Sequence, residues 1–145
     1  MTEPKYVAPQ LTLVGDDHIR AYRETDGEVG YIWNGVPTLL LTATGRRTGR
    51  ALTSALIFGR DGDDYLVVAS MGGAPQHPSW YRNLLAHPEA EIQVKAERIP
   101  VISQAASAAE KPRLWQIVVD LWPNYATYQT RTDRDIPVVV LSPRR

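Results

Sequence analysis

Three apolar runs separated by short turns dominate the first half of the chain, at 36–44, 52–58 and 65–70. Apolar runs of this length bounded by Gly, Asp and Asn are typical of β-strands. The turns between them, including 59–64, are too short for helical crossovers, so we expect an antiparallel meander. The second and third runs are apolar on both faces, which indicates strands covered on both sides, as in a barrel.

The second half mixes strand and helix patterns, and one further helix is expected near the N-terminus. Asp16 is the expected N-cap of that first helix, Pro78 the expected first residue of the second, and Ser107 with Glu110 matches a capping box for the third. Helices are predicted at 16–25, 79–85 and 107–121, a short helical or turn segment at 122–128, and strands at 90–96, 98–104 and 136–141. These patterns predict a mainly β (α+β) fold, a split antiparallel β-barrel of about six strands with short helices packed outside.

The chain length predicts a single domain over 1–145. About 1–15 is polar and interrupted by proline, and we expect this segment to be mobile. The N-terminus lacks the pattern of a signal peptide, and no apolar run approaches the length of a bilayer span. A cytoplasmic protein is therefore expected.

Charge and residue usage exclude several classes of function. Sixteen Lys and Arg residues balance sixteen Asp and Glu residues, which argues against a general nucleic-acid binder. The absence of cysteine excludes disulfides, thiolate catalysis and sulfur-ligated zinc. The histidines, His18, His77 and His87, are far apart in the sequence, so no metal site is expected.

The turn after the first strand concentrates positive charge on a neutral protein. Arg46, Arg47 and Thr48 stand between two glycines, and Arg50 follows them. Guanidinium groups and exposed N–H groups in such a turn can hold a phosphate or a carboxylate. A solvated hairpin turn without a ligand is the alternative.

Three motifs together resemble the deazaflavin (coenzyme F420)-dependent nitroreductase family. They are PTLLLTATGRRTG at 37–49, VASMGGAPQHPSWYRN at 68–83 and WPNYATYQTRTDRDIP at 122–137, and they occur in order over most of the chain. The resemblance implies a split β-barrel that binds coenzyme F420, an 8-hydroxy-5-deazaflavin, without a metal. It further implies hydride transfer to a small electron-poor acceptor, either a quinone or a nitroaromatic.

The resemblance also implies roles for individual residues. Arg46, Arg47 and Thr48 would hold the phosphate end of the cofactor. The remaining cofactor contacts would come from the end of the third strand and from the following helix, at Val68, Ala69, Ser70, Met71, Ser79, Trp80 and Asn83. Ser70, Tyr125 and Tyr128 would be the catalytic residues, with hydroxyl groups that donate to the acceptor. Met71 stands where many members of the family have Lys.

Each of these roles has a purely structural alternative. Trp80 can be a core residue, and Tyr125 and Tyr128 can be a packing pair. At the level of function, a flavin-mononucleotide enzyme on the same barrel and a non-catalytic cofactor-binding protein stay open. A monomer or weak dimer is expected, and a lipophilic quinone leaves open a peripheral contact with the inner face of the membrane.

Overall fold

A curled antiparallel sheet of eight strands organises the computed structural model, which describes residues 6 and 8–144. The strands are β1 (Ile32–Trp33), β2 (Val36–Thr44), β3 (Ala51–Ile57), β4 (Gly59–Asp61), β5 (Asp64–Val68), β6 (Glu89–Val94), β7 (Glu97–Ala105) and β8 (Val138–Pro143). Their order is β1-β2-β6-β7-β8-β5-β4, and β3 pairs with β2. The predicted mainly β architecture is confirmed, and the two shortest strands, β1 and β4, account for the larger number of strands.

Four helices lie among the described residues: α1 (Gly15–Glu24), α2 (Ser79–Ala86), α3 (Lys111–Leu121) and α4 (Asn124–Thr130). Their expected caps are mostly wrong. Val14, not Asp16, is the N-cap of α1, and Pro78 is the N-cap of α2 rather than its first residue. The hydroxyl of Ser107 does accept the N–H of Glu110 at 3.3 Å, but α3 begins only at Lys111. None of the described helices is long and apolar enough to cross a membrane.

The expected meander of three strands is wrong, because the chain changes partner at Phe58. β3 pairs with β2, whereas β4 forms the hairpin with β5, and β5 pairs on its other side with β8. The ring of Phe58 is buried and lies 6.2 Å from the ring of Tyr31 and 5.6 Å from that of Tyr65. Phe58 itself lies in neither strand, and part of the predicted turn at 59–64 is strand instead, because Gly59–Asp61 pairs with β5.

The core lies on both faces of the sheet at β5, as its apolar run predicted. The same prediction is wrong for β3, which has no buried residue because it pairs only with β2 and leaves Leu52 49% exposed. Inside the curl, Leu39, Val67 and Ile92 belong to one buried cluster. On the outer face, Leu66 packs in a second cluster with Leu114 of α3. Successive residues of β5 therefore contribute to opposite clusters, as the alternation of a strand requires, and the outer cluster fixes α3 and α4 against the sheet.

The N-terminal segment approaches the turn between β1 and β2. The main chain of Gln10 exchanges two hydrogen bonds with the side chain of Asn34, and the indole N–H of Trp33 donates to the carbonyl of Leu13 at 2.8 Å. The expected mobility of 1–15 stays a prediction, and 1–5 and 7 lie outside the described residues.

Candidate functional site

A cavity of about 530 Å³ opens between α1, β3, the loop after β5 and α4. It draws on segments far apart in the sequence, because the curl of the sheet brings the end of β5 beside the start of α2 and α4. Its lining comprises Leu13, Val14, Gly15, Asp16, His18, Ile19, Trp33, Thr38, Thr53, Ser54, Ala55, Leu56, Ile57, Val68, Ser70, Met71, Gly72, Pro78, Trp80, Trp122, Tyr125 and Tyr128.

Aromatic side chains form much of the cavity wall. The rings of Trp33 and Trp122 lie 5.8 Å apart, and those of Tyr125 and Tyr128 lie 6.2 Å apart in a T-shaped arrangement. Trp80 contributes a further indole from the start of α2. Large rigid rings present flat apolar surface at low entropic cost, so these walls suit a planar ring system.

Ser70 and Tyr125 bring hydroxyl groups to the cavity without using them elsewhere. Ser70 is 8% exposed and Tyr125 is 5% exposed, and within the described part of the chain neither hydroxyl has a hydrogen-bond partner. Burial, with a smaller contribution from Tyr128, raises the pKa of Tyr125 well above its usual range. The Tyr125 phenol therefore keeps its proton at neutral pH and can donate it in a hydrogen bond.

The loop after β5 has an unusual backbone. Met71, Gly72 and Gly73 all have positive φ, at 46°, 64° and 85°. A Cβ at Gly73 would lie 2.5 Å from the carbonyl oxygen of Tyr128, so only glycine allows this loop to approach α4 so closely. The loop is thereby locked against the helix that carries both cavity tyrosines.

Arg134 braces the same loop from the connection between α4 and β8. Its guanidinium donates to the carbonyls of Ala69 at 3.1 Å, Ser70 at 2.7 Å and Ala74 at 2.8 Å, and to Nδ1 of His77 at 3.0 Å. Burial lowers the pKa of Arg134, but arginine keeps its charge in proteins. A single cation thus ties together both ends of the segment from 69 to 77.

The imidazole of His77 serves as an acceptor in this arrangement. Because a guanidinium can only donate, Nδ1 of His77 must be unprotonated. Partial burial, and then the charges of Arg134 and Arg82, lower the pKa of His77, which favours the required neutral form.

The basic turn lies beside the cavity rather than in its lining. Asn83 of α2 is buried, and its Oδ1 accepts the backbone N–H of Arg46 at 3.1 Å and the guanidinium at 2.8 Å. A longer contact of 3.5 Å joins Arg46 to the carbonyl of Ser79. Arg47 and Thr48 are exposed. The turn is therefore fastened to α2, whose first residues reach the cavity.

The predicted site residues divide into two groups. Those that line the cavity are Val68, Ser70, Met71, Trp80, Tyr125 and Tyr128. Ala69 lies behind the lining and is fully buried. The second group is the basic turn and the part of α2 that contacts it, namely Arg46, Arg47, Thr48, Ser79 and Asn83. For Trp80 and the tyrosine pair the two alternatives coexist, because each side chain packs against a buried cluster and also lines the cavity. Which of these residues contact a ligand stays a prediction.

Sequence reasoning missed three contributors: His18, Trp33 and Arg134. His18 is buried, and its Nε2 lies 2.8 Å from the carbonyl of Gly30. No local motif marks these residues, since each acquires its place through contacts with distant segments. In the described part of the chain, no three His, Asp or Glu side chains come together where a metal ion could bind.

Aromatic walls, free hydroxyls and an adjacent cluster of guanidinium groups fit one kind of ligand. The walls suit a planar heteroaromatic ring, the hydroxyls suit its oxygens or those of a second planar molecule, and the turn suits an anionic tail. A cavity of about 530 Å³ lies within the usual range for small-molecule sites.

Comparison with known proteins points in the same direction. The model of a family described as F420H(2)-dependent quinone reductase matches residues 16–143. A protein of Mycobacterium tuberculosis (strain H37Rv) named F420H(2)-dependent quinone reductase is 46% identical over 144 residues, covering 97% of this chain and 95% of its own. A Mycobacterium bovis protein matches to the same extent.

Two solved structures also resemble this chain. One, described as an F420-H2 dependent reductase, is 36% identical with a TM-score of 0.68, and the match covers 73% of this chain and 94% of that one. The other, described as a domain-swapped dimer, is 34% identical with a TM-score of 0.71, and the match covers 87% of this chain and 98% of that one.

Proposed function

The chain belongs to the F420H(2)-dependent quinone reductase family, and from this premise we propose that the aromatic cavity is where it transfers a hydride from reduced coenzyme F420 to a quinone. The protein is an F420-dependent oxidoreductase. The observation that supports the location is the cavity itself, which combines the Trp33, Trp80 and Trp122 rings with the free hydroxyls of Ser70 and Tyr125. Reduction of nitroaromatics stays a prediction, because the names of the relatives speak only of quinones.

The residues present fit the cofactor. Coenzyme F420 has a planar deazaflavin ring, a phosphate and an acidic tail. The aromatic wall of the cavity matches the ring, and the basic turn together with α2 matches the phosphate and the tail. Arg47, which has no ion pair among the described residues, and Arg46, which is held by Asn83, would bind the phosphate end. Val68, Ser70, Met71 and Trp80 would contact the ring. When bound, reduced F420 supplies a hydride, and the quinone takes up a further proton to become the hydroquinone.

The protein's own contribution is orientation and hydrogen bonding. The hydroxyl groups of Ser70 and Tyr125 donate to the quinone oxygen on which negative charge develops. These hydrogen bonds stabilise the charged transition state more than the uncharged ground state. Trp122 and Tyr128, which line the cavity, would exclude water and orient the acceptor. No side chain needs to act as a strong base.

A lipophilic quinone would reach this cavity from a membrane surface, and we extend the proposal to a cytoplasmic protein with peripheral membrane contact. Val14 and Met71 line the cavity and are 45% and 58% exposed, and Leu11 nearby in the sequence is 67% exposed. Sedimentation with anionic vesicles, compared between wild type and Leu11→Ser, tests the contact.

Light scattering tests the proposed monomer or weak dimer against a swapped dimer like that of the solved relative.

A binding titration separates this function from that of a flavin enzyme. Oxidised F420 and flavin mononucleotide are titrated in parallel, with quenching of the tryptophans around the cavity as the signal. We expect F420 to bind and flavin mononucleotide to bind far more weakly. Preferential binding of flavin mononucleotide would overturn the proposal.

A further inference from the structure

In the two peptide units that join Ala69, Ser70 and Met71, the C=O groups and the N–H groups point in opposite directions. We infer that Arg134 is a positioning residue that aims the N–H groups of Ser70 and Met71 into the cavity, where they form a donor pair for a carbonyl or anionic oxygen of the bound ligand. The identity of that ligand as F420 or its acceptor rests on the proposed function. The donor pair itself rests on the geometry of the loop.

Planarity of the peptide bond links Arg134 to these N–H groups. In a trans peptide unit the C=O and N–H bonds point in opposite directions, and the described residues contain no cis peptide. The carbonyl of Ala69 shares its unit with the N–H of Ser70, and the carbonyl of Ser70 shares its unit with the N–H of Met71. Since Arg134 binds both carbonyls, at 3.1 and 2.7 Å, both N–H groups point away from the guanidinium.

The side to which these groups point is the cavity. Ser70, Met71 and Gly72 line it, whereas Arg134 does not. Within the described residues, neither the N–H of Ser70 nor that of Met71 donates to the protein. The N–H groups that bound this stretch are used: Ala69 donates to Pro137 at 3.0 Å and Gly73 donates to Ser70 at 2.9 Å. Among the described residues, the unused N–H groups therefore run consecutively through Ser70, Met71 and Gly72, and Arg134 binds the carbonyls that share peptide units with the first two.

The backbone conformation is one that gathers N–H groups around an anion. Ser70 has right-handed helical angles, with φ −83° and ψ −40°, and Met71 follows with φ 46°. A right-handed residue followed by a left-handed one forms a concave nest of N–H groups. Met71 adopts a left-handed conformation that non-glycine residues rarely take, and the bonds to Arg134 help to hold it there.

The charge of Arg134 adds to its geometric effect. A cation bound to a carbonyl oxygen withdraws electron density along the peptide unit and strengthens the N–H of that unit as a donor. Arg134 thus acts on the ligand through the backbone, without touching it. Lysine could make only part of this contact, because it has no planar fork to span three carbonyls and the His77 ring.

Amide NMR and binding measurements on Arg134→Gln and Arg134→Lys test this inference. Arg113→Gln is the matched control, since Arg113 is exposed, pairs with Asp61 of β4 and does not line the cavity. The amide signals of Ser70 and Met71 are followed while oxidised F420 is added, and the dissociation constant is measured on the same samples. Thermal denaturation monitors the fold of each variant.

In wild type and in Arg113→Gln we expect both amide signals to move as F420 binds. In Arg134→Gln the dissociation constant should rise by about tenfold, as expected for losing charge-assisted donors, and the two amide signals should respond weakly. Arg134→Lys should fall between, which keeps the test decisive if Arg134→Gln does not fold. Tight wild-type binding with unmoved Ser70 and Met71 signals, or wild-type behaviour of both Arg134 variants, would overturn this inference and leave the proposed function intact. Absence of F420 binding by wild type would overturn both.

Discussion

Ser70 and Tyr125 place two unpaired hydroxyl groups at one cavity, although each residue is almost fully buried. Among the described residues, the fully buried side-chain oxygen without a partner is Oγ1 of Thr127, whereas Ser70 and Tyr125 line the cavity, where a ligand can complete their hydrogen bonding. Their roles differ in kind from that of the basic turn. The hydroxyls are suited to the reaction, whereas Arg46 and Arg47 are suited to holding the cofactor.

Tyr125→Phe should slow turnover while changing the affinity for F420 little. The lost hydroxyl donates most strongly when charge develops on the acceptor, so the effect belongs to kcat, with an expected loss of about 2- to 10-fold for one hydrogen bond. Tyr81→Phe is the matched control, because Tyr81 is also a buried tyrosine but does not line the cavity. Equal turnover of both variants with several quinones would reduce Tyr125 to a packing residue.

Arg47→Ala should weaken F420 binding without loss of stability. The side chain is exposed, and exposed substitutions usually change the free energy of unfolding by less than about 0.5 kcal/mol. A charge-assisted hydrogen bond to phosphate contributes roughly 1.5–3 kcal/mol. Arg46→Ala should weaken binding as well, but it also removes the contact with Asn83 and should lower the melting temperature. Dissociation constants unchanged in both variants, at one fixed salt concentration, would exclude the turn as the phosphate site.

Met71→Lys should tighten F420 binding by a few-fold at most. Met71 is 58% exposed at the cavity, so a new cation there would be largely solvated and worth about 0.2–1 kcal/mol. The gain should shrink as salt is added. Met71→Gln, which adds polarity without charge, is the control. A gain that is indifferent to salt, or a loss of affinity, would mean that the thioether packs against the cofactor.

At the scale of elements, the loop of residues 69–77 and α4 form one unit. Gly73 lies against the carbonyl of Tyr128, Arg131 reaches the carbonyl of Gly72 at 3.4 Å, and Arg134 holds the loop from behind. Ser70 and Tyr125 are therefore positioned by a shared scaffold. A change at the contact between loop and helix should disturb both hydroxyls together.

Gly73→Ala should destabilise the protein strongly, and Gly72→Ala should do so only mildly. Both residues have positive φ, which costs roughly 1–2 kcal/mol for a residue with a Cβ. At Gly73 the Cβ would also meet the carbonyl oxygen of Tyr128 at 2.5 Å, whereas at Gly72 nothing lies within 4 Å. Denaturant titration of both variants measures the difference. Equal free energies of unfolding would show that the loop can move away from α4 at little cost.

At the scale of the whole molecule, local patterns predicted the elements better than their partners. Both ends of β2 were predicted correctly, because its nine residues form one largely apolar run with turn residues on either side. The exchange of partners at Phe58 was missed, since it depends on an aromatic cluster with Tyr31 and Tyr65 that no local window contains. The N-cap predicted at Asp16 was also wrong, because the helix begins at Gly15 and the backbone N–H of His18 donates to the carbonyl of Val14.

The residues of the site also divide into those that local sequence predicts and those that depend on distant contacts. Ser70, Trp80 and Tyr125 were found because they stand in motifs that resemble a family. Trp33 and Arg134 were not found, because each functions through contacts more than ten residues away in sequence: Trp33 with Trp122, and Arg134 with Ala69 and Ser70. Long-range contacts of this kind become visible only in the folded chain.

The most direct test of the account is steady-state oxidation of reduced F420 by catalytic amounts of the protein with a soluble quinone as acceptor. We expect the absorbance of oxidised F420 to return in many turnovers per protein, with a rate that depends on the quinone and falls in Tyr125→Phe. Binding of F420 without quinone-dependent oxidation would contradict the account and identify a carrier of the cofactor instead of a reductase.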